Sequence, residues 1–156
     1  MLPERIVDKL VAHYPRNEDG RVNFSDILEK EGIVLKTMPD ADADGASGQY
    51  LERGPTGEPT IYINIKKSWT HQRFTLAHEL GHYFLGHGSR MRDTKEQLFK
   101  RDPAEIDANR FAAELLMPEN KVREYARNFL SLAEMADRFR VSEQAMYNRL
   151  DNLALL

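Results

Sequence analysis

The chain contains no cysteine. Disulfide staples, thiolate catalysis and Cys-ligated zinc are thereby excluded, and a metal site in it has to be built from His, Asp or Glu. The absence fits a reducing compartment, and the expected location is the cytoplasm. No apolar run approaches the roughly 18 residues that a membrane-spanning helix needs. Met1-Leu2-Pro3-Glu4-Arg5 leads into alternating charges instead of the apolar stretch of a secretory signal. Neither secretion nor membrane insertion is expected, and no membrane partner. A strongly basic segment is also missing: residues 1–64 hold 7 Lys/Arg against 12 Asp/Glu, 65–130 hold 12 against 9, and 131–156 hold 3 against 4. Direct DNA binding through a basic face is therefore disfavoured.

What is present is 156 residues, 41% hydrophobic and 30% charged, enough for one compact domain and a small appendage but not for two independent cores. Ile6, Val7, Leu10 and Val11 at helical spacing predict a first helix over 3–14. Ser25 is the expected cap of a second helix over 26–31, which Gly32 stops before a β-branched, apolar strand over 33–38. Residues 39–48 read as a solvated acidic turn. Its aspartate spacing superficially resembles a calcium loop but lacks the matching Gly and terminal Glu. Two further strands, 49–53 and 60–65, flank the turn-rich 54–59, so a small three-stranded sheet is expected, antiparallel throughout.

Helices are expected from there on: 70–85 ended by Gly86, 103–117 begun by Pro103, 119–128, and a pair, 132–139 and 143–153, joined by Arg140-Val141-Ser142 at helix-turn-helix spacing. Between them, 89–101 reads as a charged, solvated connector that could serve as a lid. The expected fold class is α+β: the sheet packed with a helical core over 1–130, and a helix-turn-helix-like C-terminal extension over 131–156.

The chemistry is concentrated in His78-Glu79-Leu80-Gly81-His82, an H-E-x-x-H on a helix. At about 100° per residue the two imidazoles point the same way, one turn apart, and both can reach a single ion. Glu79 lies about a quarter-turn round, where a carboxylate touches a water at the metal instead of the metal itself. Phe74, Leu76, Ala77, Leu80, Phe84 and Leu85 make the helix apolar over much of its circumference, so these ionisable groups sit in a buried setting and need partners.

A third ligand is required. His87 fails the metzincin spacing, which falls on Gly88, and reads as a helix-end surface histidine. Glu105, on the next strong helix, is the better candidate, and spacing leaves Asp107 open as an alternative. Asn109 follows Glu105 on the same face and is placed to hydrogen-bond a ligand from behind. Ala108 and Ala112 offer small side chains to a low spot at Gly81, which lets the two helices approach. A second group to stabilise the oxyanion is not identifiable from spacing, with Tyr83 and His71 the only guesses. The strand over 60–65, if it were a sheet edge, would hold an extended substrate by main-chain hydrogen bonds.

The run from Arg73 to His82, RFTLAHELGH, followed by the run from Glu105 to Pro118, EIDANRFAAELLMP, resembles the ImmA/IrrE family of bacterial and phage-borne metallopeptidases. Gly45-Ala46-Ser47-Gly48 and Tyr62-Ile63-Asn64 are similar to its upstream strand region, so the likeness covers most of 25–155. It implies a zincin-like core with a gluzincin-type site in which His78, His82 and Glu105 hold Zn2+, or another divalent transition metal such as Mn2+, and Glu79 is the catalytic acid. It also implies a substrate class: helix-turn-helix repressors, cleaved to switch on stress, prophage or mobile-element genes. The rival expectation is a non-catalytic module that docks on a repressor or on DNA through 132–153. That segment carries only Arg138, Arg140 and Arg149 against four carboxylates, which favours protein docking over phosphate neutralisation. Nothing in the sequence specifies an oligomeric state.

Overall fold

Capping chemistry sets most of the element boundaries. The computed structural model describes residues 2–38, 45–90 and 102–156. Helix α1 (Pro3–His13) starts with proline in its first turn, where the missing N–H costs nothing. Helix α2 (Phe24–Glu31) is capped by Asn23, whose side chain accepts from the Asp26 N–H at 3.0 Å. The start thus falls before the expected Ser25 cap. Asn caps as well as Ser, and the earlier start brings Phe24 into contact with the core.

Three strands follow, β1 (Val34–Thr37), β2 (Gly48–Leu51) and β3 (Thr60–Ile63), in the spatial order β1-β3-β2. β2 and β3 form the antiparallel pair, Gly48 opposite Ile63 and Leu51 opposite Thr60. β1, however, runs parallel to β3, Val34 opposite Thr60 and Thr37 opposite Ile63. The expected all-antiparallel sheet is therefore corrected to a mixed one. β2 and β3 are joined directly through the turn-rich 52–59, which suits antiparallel neighbours; the route from β1 to β3 runs through β2, and a connection of that length permits parallel pairing. β3 is consequently the inner strand, bonded on both sides, so the condition under which 60–65 would hold an extended substrate, that it form a sheet edge, is not met.

The remaining helices are α3 (Trp69–Leu85), α4 (Pro103–Leu116), α5 (Glu119–Arg127), α6 (Leu132–Phe139) and α7 (Glu143–Asn152), making seven among the described residues. Ser68, Asp102, Ser131 and Ser142 cap α3, α4, α6 and α7 through their side chains, and Ser131 with Glu134 completes a capping box. The acidic turn expected over 39–48 lies outside the described residues as far as position 44, and the connector over 89–101 does so from position 91.

One continuous core links these elements. Val7 and Leu10 of α1, Ile27 of α2, Ile61 of β3, Leu80 of α3, Phe111 and Leu115 of α4, Val122 of α5 and Met146 of α7 are all buried in it. Each fully buried side chain of this size contributes about 1.5–3 kcal/mol. α3 packs chiefly on α4, and the contact is backbone-close. A Cβ at Gly81 would lie 3.2 Å from the Ala108 Cα and carbonyl oxygen. The low spot expected at Gly81 thus meets the small residue expected opposite it. No helix among the described residues is long and apolar enough to cross a membrane.

Candidate metal centre

Because α3 is buried on most of its circumference, its H-E-x-x-H cannot be a solvated polar stripe. His78, Glu79 and His82 are all buried, Glu79 at 0% exposure. The helical repeat brings the imidazoles edge to face, centroids 4.7 Å apart, with their Nε2 atoms separated by 3.1 Å. Glu79 stands beside them: one carboxylate oxygen and a ring nitrogen of each histidine lie within 4.8 Å of one another. β2 packs against α3 beside it at a distance only glycine permits. A Cβ at Gly48 would meet Thr75 Cγ2 at 2.6 Å, the Tyr62 carbonyl at 2.7 Å and Glu79 Cγ at 3.6 Å.

The close α3–α4 contact delivers the third group. Glu105, in the first turn of α4, places Oε2 2.8 Å from His78 Nε2 and 3.3 Å from His82 Nε2. Asp107, the open alternative, is 43% exposed and pairs with Arg110 at 3.8 Å.

Each imidazole is oriented from behind. His78 Nδ1 lies 2.8 Å from Asn109 Oδ1, an acceptor, so Nδ1 carries the proton and Nε2 turns its lone pair inward. His82 Nδ1 lies 2.9 Å from His87 Nδ1. Burial, together with His82 and Arg90, holds the His87 imidazole below its ordinary pKa. In the tautomer in which His87 accepts at Nδ1, His82 donates there and turns its Nε2 lone pair inward as well. His87 is therefore not the surface residue that the helical extrapolation implied. Gly86 takes a left-handed conformation, φ 70°, and turns the chain back over His82.

The outcome is three electron pairs, from two neutral nitrogens and a carboxylate oxygen, converging at mutual distances of 2.8, 3.1 and 3.3 Å. Three acceptors at this spacing repel unless a cation sits among them. The separations are close to the roughly 3.3 Å edge of a tetrahedron with bonds of about 2.0–2.1 Å, so donor set and spacing fit a zinc-type ion. The two guesses for an oxyanion donor are otherwise engaged. Tyr83 donates its hydroxyl to Glu31 at 2.9 Å, and the exposed His71 lies 2.6 Å from Ser47 Oγ.

Sequence reasoning missed His87 and Arg90. Arg90 reaches the centre from the segment read as solvated connector, its Nε 3.2 Å from Glu105 Oε1. A histidine just past a helix-ending glycine was a faint signal for the first. A lone arginine in a charged run offered none for the second.

Comparison with known proteins agrees with this geometry. Residues 28–151 match the Peptidase M78 family, described as the IrrE N-terminal-like domain. The chain is 35% identical over 147 residues to the radiation response metalloprotease IrrE of Deinococcus radiodurans, a match covering 88% of this chain and 43% of that protein. It is 34% identical over 109 residues to the metallopeptidase ImmA of Bacillus subtilis, covering 67% of this chain and 60% of that one. An uncharacterized immunity region protein of Bacillus phage phi105 is 36% identical over 77 residues, 49% of each chain. The chain belongs to the IrrE/ImmA family of metallopeptidases, the family its two motif runs resemble. It matches about half the length of these relatives.

Proposed function

We propose that this chain is a zinc-dependent endopeptidase that cleaves a helix-turn-helix transcriptional repressor. The single observation that carries the hydrolase reading is the convergence of His78 Nε2, His82 Nε2 and Glu105 Oε2, with the buried Glu79 carboxylate beside them. In this reading His78, His82 and Glu105 are the metal ligands and Glu79 is the catalytic residue. Zn2+, or Mn2+ in its place, supplies Lewis acidity toward the scissile carbonyl when bound. The chain's own residues do the rest. Asn109 and His87 keep both ring lone pairs aimed inward. Glu79 takes a proton from the attacking water as the new C–O bond forms, then hands it to the departing amine as the C–N bond breaks. Burial of Glu79 keeps bulk water from competing for that proton.

Residues 1–130 are taken as a zincin-like catalytic unit and 131–156 as a helix-turn-helix-like extension that helps engage the substrate. The short Arg140–Ser142 link between α6 and α7 supports the second assignment. Arg149 in α7 is buried and donates to the Met117 carbonyl at 3.0 Å, so it is not offered to phosphate. That favours protein over DNA as the partner of this segment. The names of the relatives, a radiation response protease and a phage immunity region protein, support a regulatory substrate. The reading places the enzyme in the cytoplasm, where such a repressor acts. The test is co-expression with the repressor encoded beside the gene. Site-specific cleavage is expected from the wild type and none from Glu79→Gln. A metal-free protein that binds the repressor without cutting it would replace this reading with the docking module.

A further inference from the structure

The two oxygens of Glu105 are used differently. Oε2 faces His78 and His82, whereas Oε1 lies 3.2 Å from both Nε and an Nη of Arg90. Arg90 is itself held on every side. Its backbone N–H donates to the Tyr50 carbonyl of β2 at 2.9 Å, and its carbonyl accepts from Gln49 Nε2 at 3.2 Å. Its guanidinium donates to Asp102 Oδ2 at 2.7 Å, and Asp102 in turn caps α4, accepting from the Ala104 N–H at 2.9 Å. The side chain is 23% exposed, and Asp102 and Glu105 hold its pKa above the ordinary guanidinium value in spite of burial. The position is thus fixed by the sheet edge on one side and by the first turn of α4 on the other.

We propose that Arg90 is a positioning residue that makes Glu105 a one-oxygen ligand; this rests on the metal-site reading above. A carboxylate beside a divalent ion can bind through one oxygen or both. The Nε–H of the planar Arg90 fork donates to Oε1 and, with an Nη also 3.2 Å from that oxygen, holds it away and sets the rotation of the carboxylate, so Oε2 alone faces the ring nitrogens. A two-histidine, one-oxygen set leaves a coordination position for water or substrate; two-oxygen binding would fill it. Through its backbone bond to Tyr50, the same residue ties the edge strand β2 to the ligand, so the carboxylate is braced by an element other than its own helix.

The experiment compares wild type, Arg90→Gln and Arg90→Lys by Zn2+ affinity in chelator competition and by the visible absorption of the Co2+-loaded protein. Arg90→Gln is expected to bind Zn2+ about 10–100-fold more weakly, as loss of a partner behind a ligand generally does. Its Co2+ bands should weaken toward those of a five-coordinate ion as Oε1 is released. Arg90→Lys restores the charge without the fork, so its spectrum should resemble that of Arg90→Gln. If Arg90→Gln bound Zn2+ within twofold of wild type with an unchanged Co2+ spectrum, the contact would be a staple between 89–90 and α4, and the proposal would be overturned. Should Arg90→Gln fail to fold, Arg90→Lys decides, an unchanged spectrum again overturning it. A folded wild type that bound neither ion would overturn the metal-site reading and this inference together, an outcome distinct from loss of the Arg90 effect alone.

Discussion

Among the described residues, two clusters of buried charged or metal-ligating side chains are built by opposite logic. Under α7, Arg149 meets the Glu114 carboxylate and the Met117 carbonyl, cation against acceptors, and the charges close on one another. Between α3 and α4, two imidazole nitrogens and a carboxylate oxygen aim electron pairs at a common point. Burial is similar in the two. What separates a structural cluster from a chemical one is whether its members complement each other or share a need for something else.

The largest effect that tests this contrast falls on Glu79. Glu79→Gln should lower repressor cleavage by about 10²–10⁴-fold, the range of a lost general acid–base, while metal content by elemental analysis stays at the wild-type level. At the seam, Arg149→Ala leaves Glu114 buried without its cation. It should cost about 3–5 kcal/mol in urea unfolding and leave the metal affinity of the folded fraction unchanged. Were metal affinity to fall as well, the two regions would not be independent.

Asn109→Ala removes the acceptor behind His78 and should weaken Zn2+ binding about 10–100-fold by chelator competition, with little change in the unfolding midpoint of the metal-free protein. Gly81→Val forces a side chain against the Ala108 backbone and should destabilise by about 1–3 kcal/mol, and because it spreads α3 from α4 it should weaken metal binding too. The smallest effect is in alkali. Tyr83, half-buried and hydrogen-bonded to Glu31, has its phenol pushed up to about 12, and so does Tyr14 by its own bond to Glu31. The folded state holds these protons more tightly than the unfolded state, whose phenols titrate near 10. Their contribution is therefore complete below about pH 10 and lost as pH rises through about 12. Tyr83→Phe should flatten that part of a stability–pH curve.

Several features were legible from local spacing. The i, i+4 histidines could only share a face, Gly81 could only be a low spot, and Asn109 had to follow Glu105 onto the same side of its helix. Gly32 and Gly86 stop their helices as expected, both left-handed at φ 70°. The strands were found but not their arrangement, because period-2 patterning states which residues face the core and not which strand lies alongside. Hence β1 was expected antiparallel, whereas it runs parallel to β3, the middle strand.

What the sequence determined by itself is whatever lies within a helical turn or a cap: the paired imidazoles, the neighbouring carboxylate, the starts and stops of most helices, and the family to which they belong. Only the tertiary structure decided that Glu105 meets His78 and His82, that His87 turns back onto His82, and that Arg90 crosses from the sheet edge to Glu105. The physical reason is range. Local geometry follows from bonded stereochemistry over a few residues, but a contact such as Arg90 with Glu105 exists only because Gly81 lets two helices meet at backbone distance and β2 holds the chain beside them. Neither condition leaves a periodic trace in the sequence around the residues it brings together.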